Sequence, residues 1–229
     1  MPLEVTLHQV NYQYEGTSFS SVLCLPEPPG QYPGIITVHG IFGLQDMDVN
    51  SAKRLAEQGY VVLVHGWQSG EHDPSDENIV NGIRQAIAFL KEEDRVISDQ
   101  IGLIGVCRGG SIAMLASAYI EELKLAVSFY GQAYYPHLDE KKPISPIDLV
   151  DKVTKPMLLI HGEEDAIFDF QETLDFCVAL ESRGKVGECR LYPGAGHGFF
   201  LKGHRNYHEQ ASEDSWIVLS EFLRKYLDK

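Results

Sequence analysis

The chain alternates short strand-like runs, most of them apolar at nearly every position, with longer stretches in which apolar residues recur every three or four places. The runs fall at residues 34–38, 61–65, 101–105, 125–130, 157–161 and 188–192. Unbroken hydrophobicity over so short a run marks a strand buried on both faces, the condition of a parallel sheet covered by helices. Two earlier runs, 5–12 and 20–25, are joined by the turn-prone Glu15-Gly16 and predict an antiparallel hairpin at one edge. Helical spacing predicts helices near 50–58, 77–93, 108–122, 169–182 and 206–226. Strand and helix in turn call for an α/β fold with a mostly parallel eight-stranded sheet. Right-handed crossovers then put helices on both faces. The Pro-rich piece 26–33 reads as a turn and the polar stretch 134–154 as a loop or short cap. No repeat, low-complexity tract or long linker divides the chain, so a single domain over residues 1–229 is expected.

Bulk properties narrow the partners. A length of 229 residues suits one α/β domain with a large core, and 44% hydrophobic with 23% charged residues is ordinary globular composition. A formal net charge of -14, with no basic run to offset it, argues against nucleic acid and against an anionic membrane surface as partners. Residues 1–10 carry neither a basic segment nor an apolar one, so no signal peptide is expected, and no apolar stretch reaches the ~18 residues of a membrane span. Cys24, Cys107, Cys177 and Cys189 lack C-x-x-C spacing, which speaks against a structural zinc site and a disulfide framework. A reducing cytoplasm fits that usage, with Cys24, Cys177 and Cys189 read as packing residues. The assembly expected is a monomer or a homodimer.

Candidate chemistry centres on Cys107. It sits in Gly105-Val106-Cys107-Arg108-Gly109-Gly110, directly after one strand-like run and directly before an apolar helical stretch. That is the nucleophile-elbow pattern with cysteine in the serine position: the glycines permit a sharp strand-to-helix turn that pushes the central side chain out of the sheet. A helix amino terminus there favours negative charge on the sulfur. Run 157–161 empties into Gly162-Glu163-Glu164-Asp165, and run 188–192 leads into Gly194-Ala195-Gly196-His197-Gly198. All three segments lie at the carboxyl ends of predicted strands, where open α/β sheets place ligands. Asp165 is favoured as the acid over Glu163, Glu164 and Asp169 because it heads the turn before the next helix, with Glu164 next in line. The expected oxyanion hole pairs the backbone amides of Ile41 and Arg108.

Other residues carry weaker signals. Phe42, Trp67, Tyr130 and Phe199, with Phe200, lie in or beside strand-end loops and are expected to wall an apolar substrate pocket. The Arg108 side chain offers positive charge to an acidic substrate or is a salt-bridged helix residue. His65, His72, Asp73 and Asp76 lack metal-ligand spacing and read as a solvated loop, and His204 with His208 lacks a third ligand. No metal or cofactor is called for.

With His39-Gly40-Ile41-Phe42-Gly43 and Phe129-Tyr130-Gly131 added to the Cys107, Asp165 and His197 segments, the chain resembles the dienelactone hydrolase (carboxymethylenebutenolidase) family of α/β-hydrolases. The order nucleophile, acid, histidine is the one expected of that superfamily. The resemblance implies the α/β-hydrolase fold, a catalytic triad of Cys107, Asp165 and His197, and hydrolysis of a small-molecule ester, lactone or thioester through an acyl-cysteine intermediate. Two positions depart from the pattern. Gly40 replaces a glutamate that helps activate the family's cysteine, and Leu201, with Lys202 beside it, replaces an arginine that helps hold a substrate carboxylate. Losing both groups leaves open whether dienelactones themselves are substrates, and thiol activation falls to His197 alone. Two other classes stay open: a non-catalytic ligand-binding protein on a hydrolase scaffold, and a peptidase of prolyl-oligopeptidase type, which shares the acid and histidine loops but uses serine behind a propeller.

Overall fold

A computed structural model describes residues 1–14 and 16–227, with the side chain of Tyr14 left out; the Glu15 half of the expected hairpin turn lies outside the described residues. The strands are β1 (Val5–Tyr14), β2 (Thr17–Pro26), β3 (Tyr32–Val38), β4 (Val61–His65), β5 (Val96–Val106), β6 (Leu125–Phe129), β7 (Met157–Gly162) and β8 (Gly187–Tyr192). They form one sheet in the order β1-β2-β4-β3-β5-β6-β7-β8. β2 pairs antiparallel with β1 and with β4, and every other pairing is parallel. The helices are α1 (Asp46–Ala56), α2 (Asp76–Lys91), α3 (Arg108–Tyr119), α4 (Phe170–Ser182) and α5 (Glu209–Tyr226). This is the α/β-hydrolase fold that the sequence led us to expect.

The strands are apolar at successive positions because each face has its own helices. Ile35, Val62, Val127 and Leu158 pack with Leu55 of α1 and with Leu219 and Phe222 of α5. Their chain neighbours Ile36 and Leu63 turn the other way, against Ile83 of α2 and Ile112 of α3. Further along that second face, Ala126 and Leu159 meet Phe176 and Leu180 of α4. The two-residue period of the strand thus divides one apolar run between two cores.

Several boundaries differ from the sequence reading. α1 starts at Asp46 rather than near residue 50, because its first turn is closed by a polar capping box in which the Gln45 amide donates to Asp48 Oδ2 at 2.9 Å. α5 starts at Glu209, three residues late, where His208 Nδ1 accepts from the Ala211 amide at 3.2 Å. Within 134–154 the 3₁₀ turn Pro146–Lys152 is the regular element. The cysteines need a larger correction. Cys24 is a buried free thiol, but Cys177 of α4 and Cys189 of β8 are joined as a disulfide across a Cα separation of 6.5 Å. A helix packed on its own following strand brought together two residues that sequence spacing did not pair. Among the described residues no helix is long and apolar enough to cross a membrane.

The sheet order reverses around β3. The chain leaves β3 for β4 on one side and returns through α2 to β5 on the other. Loops leaving neighbouring strands in opposite directions open a crevice at their carboxyl ends. The loop after β3 and the turn after β5 flank that crevice.

Candidate active site

Cys107 occupies the tight turn between β5 and α3 with φ at 54°, a left-handed conformation that a side chain adopts only under constraint. Its amide donates to Phe129 O on β6 at 3.0 Å, and its carbonyl accepts from the Gly110 amide at 2.9 Å. The flanking glycines are obligatory. A Cβ on Gly105 would lie 1.9 Å from Gly109 O, and one on Gly109 would lie 2.0 Å from Val38 O. The turn therefore closes tightly enough to lay the start of α3 against the end of β3, and the Cys107 side chain is left half-buried at the sheet's rim. Arg108 opens α3, so its amide has no carbonyl one turn back within the helix to serve it.

Asp165 and His197 meet because their loops touch. The Glu163 amide donates to Tyr192 O at 3.0 Å and the Glu164 amide to Ala195 O at 2.9 Å, and a Cβ on Gly162 would come within 2.2 Å of Ala195 O. The carboxylate of Asp165, with no exposed side-chain surface, takes His197 Nδ1 on Oδ2 at 2.7 Å. It also accepts His161 Nε2 on Oδ2 at 3.1 Å, and the amides of Ile167 and Phe168 on Oδ1 at 2.8 and 3.0 Å. Burial pushes this carboxyl up, but the hydrogen bonds from His161 and His197 outweigh it and hold the pKa well below the usual carboxylate value. For His197, burial works downward, yet hydrogen bonds to Asp165 and Cys107 and their negative charges leave its pKa raised to about 9. Nδ1 is spent on Asp165, which leaves Nε2 as the ring nitrogen available to Cys107. The ring is gripped edge-to-face by Tyr130 at 4.9 Å and Phe168 at 5.4 Å between centroids, and Asn206 Nδ2 donates to the His197 carbonyl at 2.9 Å.

Cys107 and His197 lie on the floor of a cleft of about 580 Å³. Its lining is apolar at Ile41, Phe42, Ile167 and Phe168 and polar at Arg108, Lys142, Arg205 and Asn206. Arg108 is committed to the protein, since its guanidinium binds Asp73 at 3.0 Å, Asp76 at 2.7 Å and Tyr135 Oη at 2.9 Å. Of the two readings open for it, salt-bridging is the one the structure shows. Among the described residues no group of three potential metal ligands comes together.

The sequence profile of the dienelactone hydrolase family matches residues 19–227. The chain belongs to the dienelactone hydrolase family. Two relatives match end to end at 27% identity. A Bradyrhizobium protein carrying the name of a 2-oxo-3-(5-oxofuran-2-ylidene)propanoate lactonase covers 97% of this chain and is itself 96% covered. A Synechocystis protein named as a carboxymethylenebutenolidase covers 99% and is itself 100% covered. Among solved structures, a Klebsiella pneumoniae dienelactone hydrolase superposes with a TM-score of 0.90 at 21% identity over 97% of this chain and 100% of its own. The Pyrococcus horikoshii acylaminoacyl peptidase shares the fold, with a TM-score of 0.82 and 20% identity over 100% of this chain and 42% of its own. Family membership makes this chain a hydrolase of lactone or ester bonds.

In this dienelactone hydrolase relative, the residues expected at the site are not all brought there. Cys107, Asp165 and His197 converge, and Glu164 lines the cleft without a bond to His197. Phe42, 84% exposed, stands in the cleft wall, and Tyr130 faces a smaller neighbouring cavity. Trp67 and Phe199 do not reach either space. Trp67 is 1% exposed, donates to His39 O at 3.1 Å and packs in the core, while Phe199 is 0% exposed between Tyr130 and Tyr192. Phe200 is likewise buried, stacked on Phe129. Strand-end position alone did not distinguish a ring facing the crevice from one turned into the sheet. Asp73 and Asp76 are ligands of Arg108 rather than a solvated loop. Sequence reasoning also passed over His161, whose Nε2 has only acceptors as partners and so carries the proton, while Thr173 Oγ1 donates to Nδ1 at 2.7 Å. Its place at the end of β7, four residues before the acid, was the available signal.

Proposed function

We propose that the protein hydrolyses small esters, lactones or thioesters through a covalent acyl-cysteine, with Cys107 as nucleophile, His197 as acid and base, and Asp165 as the residue that orients His197. The observation carrying this reading is the convergence of Cys107, His197 and Asp165, in which one imidazole nitrogen is fixed by a buried carboxylate while the ring and the sulfur line the same cleft. The proton of the Cys107–His197 pair rests on His197 as the sulfur attacks the carbonyl carbon. The resulting oxyanion is received by the amides of Ile41 and Arg108, groups whose individual removal typically costs about 2.7–4 kcal/mol of activation free energy in related sites. The intermediate collapses by breaking the bond to the leaving oxygen, which takes its proton from His197. Water then gives a proton to His197 as it attacks the thioester, and the sulfur departs as the acid is released. Asp165 holds the imidazole in one tautomer and stabilises its cationic form.

Intact-mass analysis after mixing with 4-nitrophenyl acetate tests this directly. An acetyl adduct on Cys107, absent from Cys107→Ala together with turnover, is the expected result. Undiminished hydrolysis by Cys107→Ala would remove the sulfur from the mechanism.

A further inference from the structure

A second cavity, of about 60 Å³, shares Cys107 and His197 with the main cleft but is walled by Gly40, Gln45, Met47, Asp48, Tyr130 and Leu201. It exists because of Gly40. A Cβ at that position would sit 3.4 Å from Cys107 Cβ and 3.8 Å from Sγ, so any side chain there would occupy the space beside the sulfur. The second departure from the family pattern, Leu201, lines the same cavity and contributes no polar group. Both positions that set this chain apart thus open onto one small volume against the nucleophile.

Two polar groups border it. Tyr130 is 1% exposed, is held at φ 40°, and its Oη is buried without a hydrogen-bond partner. Buried hydroxyls are almost always paired, so a conformation that leaves one unpaired beside a catalytic sulfur points to a ligand atom that completes it. Asp48 is 8% exposed and close enough for its charge to act on the Tyr130 hydroxyl. Its Oδ2 already accepts from the Gln45 amide, and burial raises its carboxyl to about 6. Around these groups the walls are the apolar Met47, Val106 and Leu201. The cavity therefore offers a hydroxyl donor and a carboxylate acceptor in a space that holds roughly two or three heavy atoms.

We propose that this cavity is the acyl subsite and that it selects short acyl groups bearing a hydroxyl, such as glycolyl or lactyl, while the larger cleft takes the leaving group. The inference rests on Cys107 carrying the acyl group, since only a chain bonded to that sulfur must enter the space next to it. A substrate hydroxyl accepts from Tyr130 Oη and donates to Asp48, satisfying both protein groups at once. An unsubstituted acyl chain leaves the Tyr130 hydroxyl unpaired, and a long one does not fit.

The test is an acyl series of phenyl esters (glycolate, lactate, acetate, hexanoate) with the wild-type enzyme, reading kcat/KM and the acyl adduct on Cys107 by mass spectrometry. Glycolate and lactate are expected to exceed acetate by at least about tenfold and hexanoate by about a hundredfold. In Tyr130→Phe the glycolate-to-acetate ratio falls towards one. Equal acylation by hexanoate and glycolate, or a wild-type preference for acetate, overturns the subsite while leaving acyl-cysteine chemistry intact. Failure of the underlying reading is distinguishable, because no ester of the series would then leave an adduct on Cys107. The wild-type series decides the matter even if the Tyr130 variant does not fold.

Discussion

Asp165 receives four hydrogen bonds, two from imidazoles and two from backbone amides, and this convergence sets the behaviour of His197. A carboxylate so provided stays ionised, and the neighbouring imidazole keeps its proton at neutral pH. Because the folded pKa of His197, about 9, exceeds its ordinary 6.5, its contribution to stability is full below pH 6.5 and is lost as pH rises through about 9. Asp165 has the opposite sign: its contribution is present above the ordinary carboxylate value and fades in acid. The expected result is an NMR titration of the His197 ring with a midpoint near 9 that moves down towards 6.5 in Asp165→Asn. The same variant lowers kcat for ethyl esters by a factor on the order of 10³–10⁴, since the amide favours the wrong tautomer. A midpoint unchanged in the variant would mean that the carboxylate does not govern the ring.

The strand-to-helix turn shows how much of the site an element can carry. Gly105→Ala and Gly109→Ala each drive a methyl into backbone, at 1.9 and 2.0 Å respectively, so α3 must lift from the sheet or the turn must open. Each is expected to destabilise the protein by about 3 kcal/mol or more in urea titration and to abolish turnover. Gly70→Ala is the control. Its φ of 90° strains an alanine, but nothing lies within 4 Å, so its loss is about 1–2 kcal/mol with activity retained. Those glycines were legible in the sequence because a motif tied to backbone geometry survives in one dimension. The strands were legible for a related reason: burial on both faces removes polar residues altogether. What was not legible depended on which way a ring turns. Phe42 and Trp67 both follow strands, yet one stands 84% exposed in the cleft wall and the other is buried under His39. The polar first turn of α1, invisible to apolar periodicity, hid both Asp48 and the cavity it borders.

Across the whole molecule, the acid loop follows β7, the histidine loop follows β8, and α4 makes the crossover between those two strands. The Cys177–Cys189 disulfide fastens that crossover, joining residues 12 apart in sequence. Closing a loop of that length stabilises a fold by about 3 kcal/mol, mainly by restricting the unfolded chain. Denatured without reductant, the protein is expected to present two reactive thiols, Cys24 and Cys107, to a thiol reagent. Reduction should then lower the unfolding free energy by about 2–3 kcal/mol. A Cys177→Ser/Cys189→Ser double variant should match the reduced wild type and cease to respond to reductant. Four thiols in the unreduced chain would return both residues to a packing role. Neither cysteine lines the cleft or the small cavity, so turnover below the unfolding transition should be the same with the bridge open or closed. Loss of activity to a thiol reagent under native conditions then reports on Cys107, because Cys24, the other free thiol, is sealed in the core.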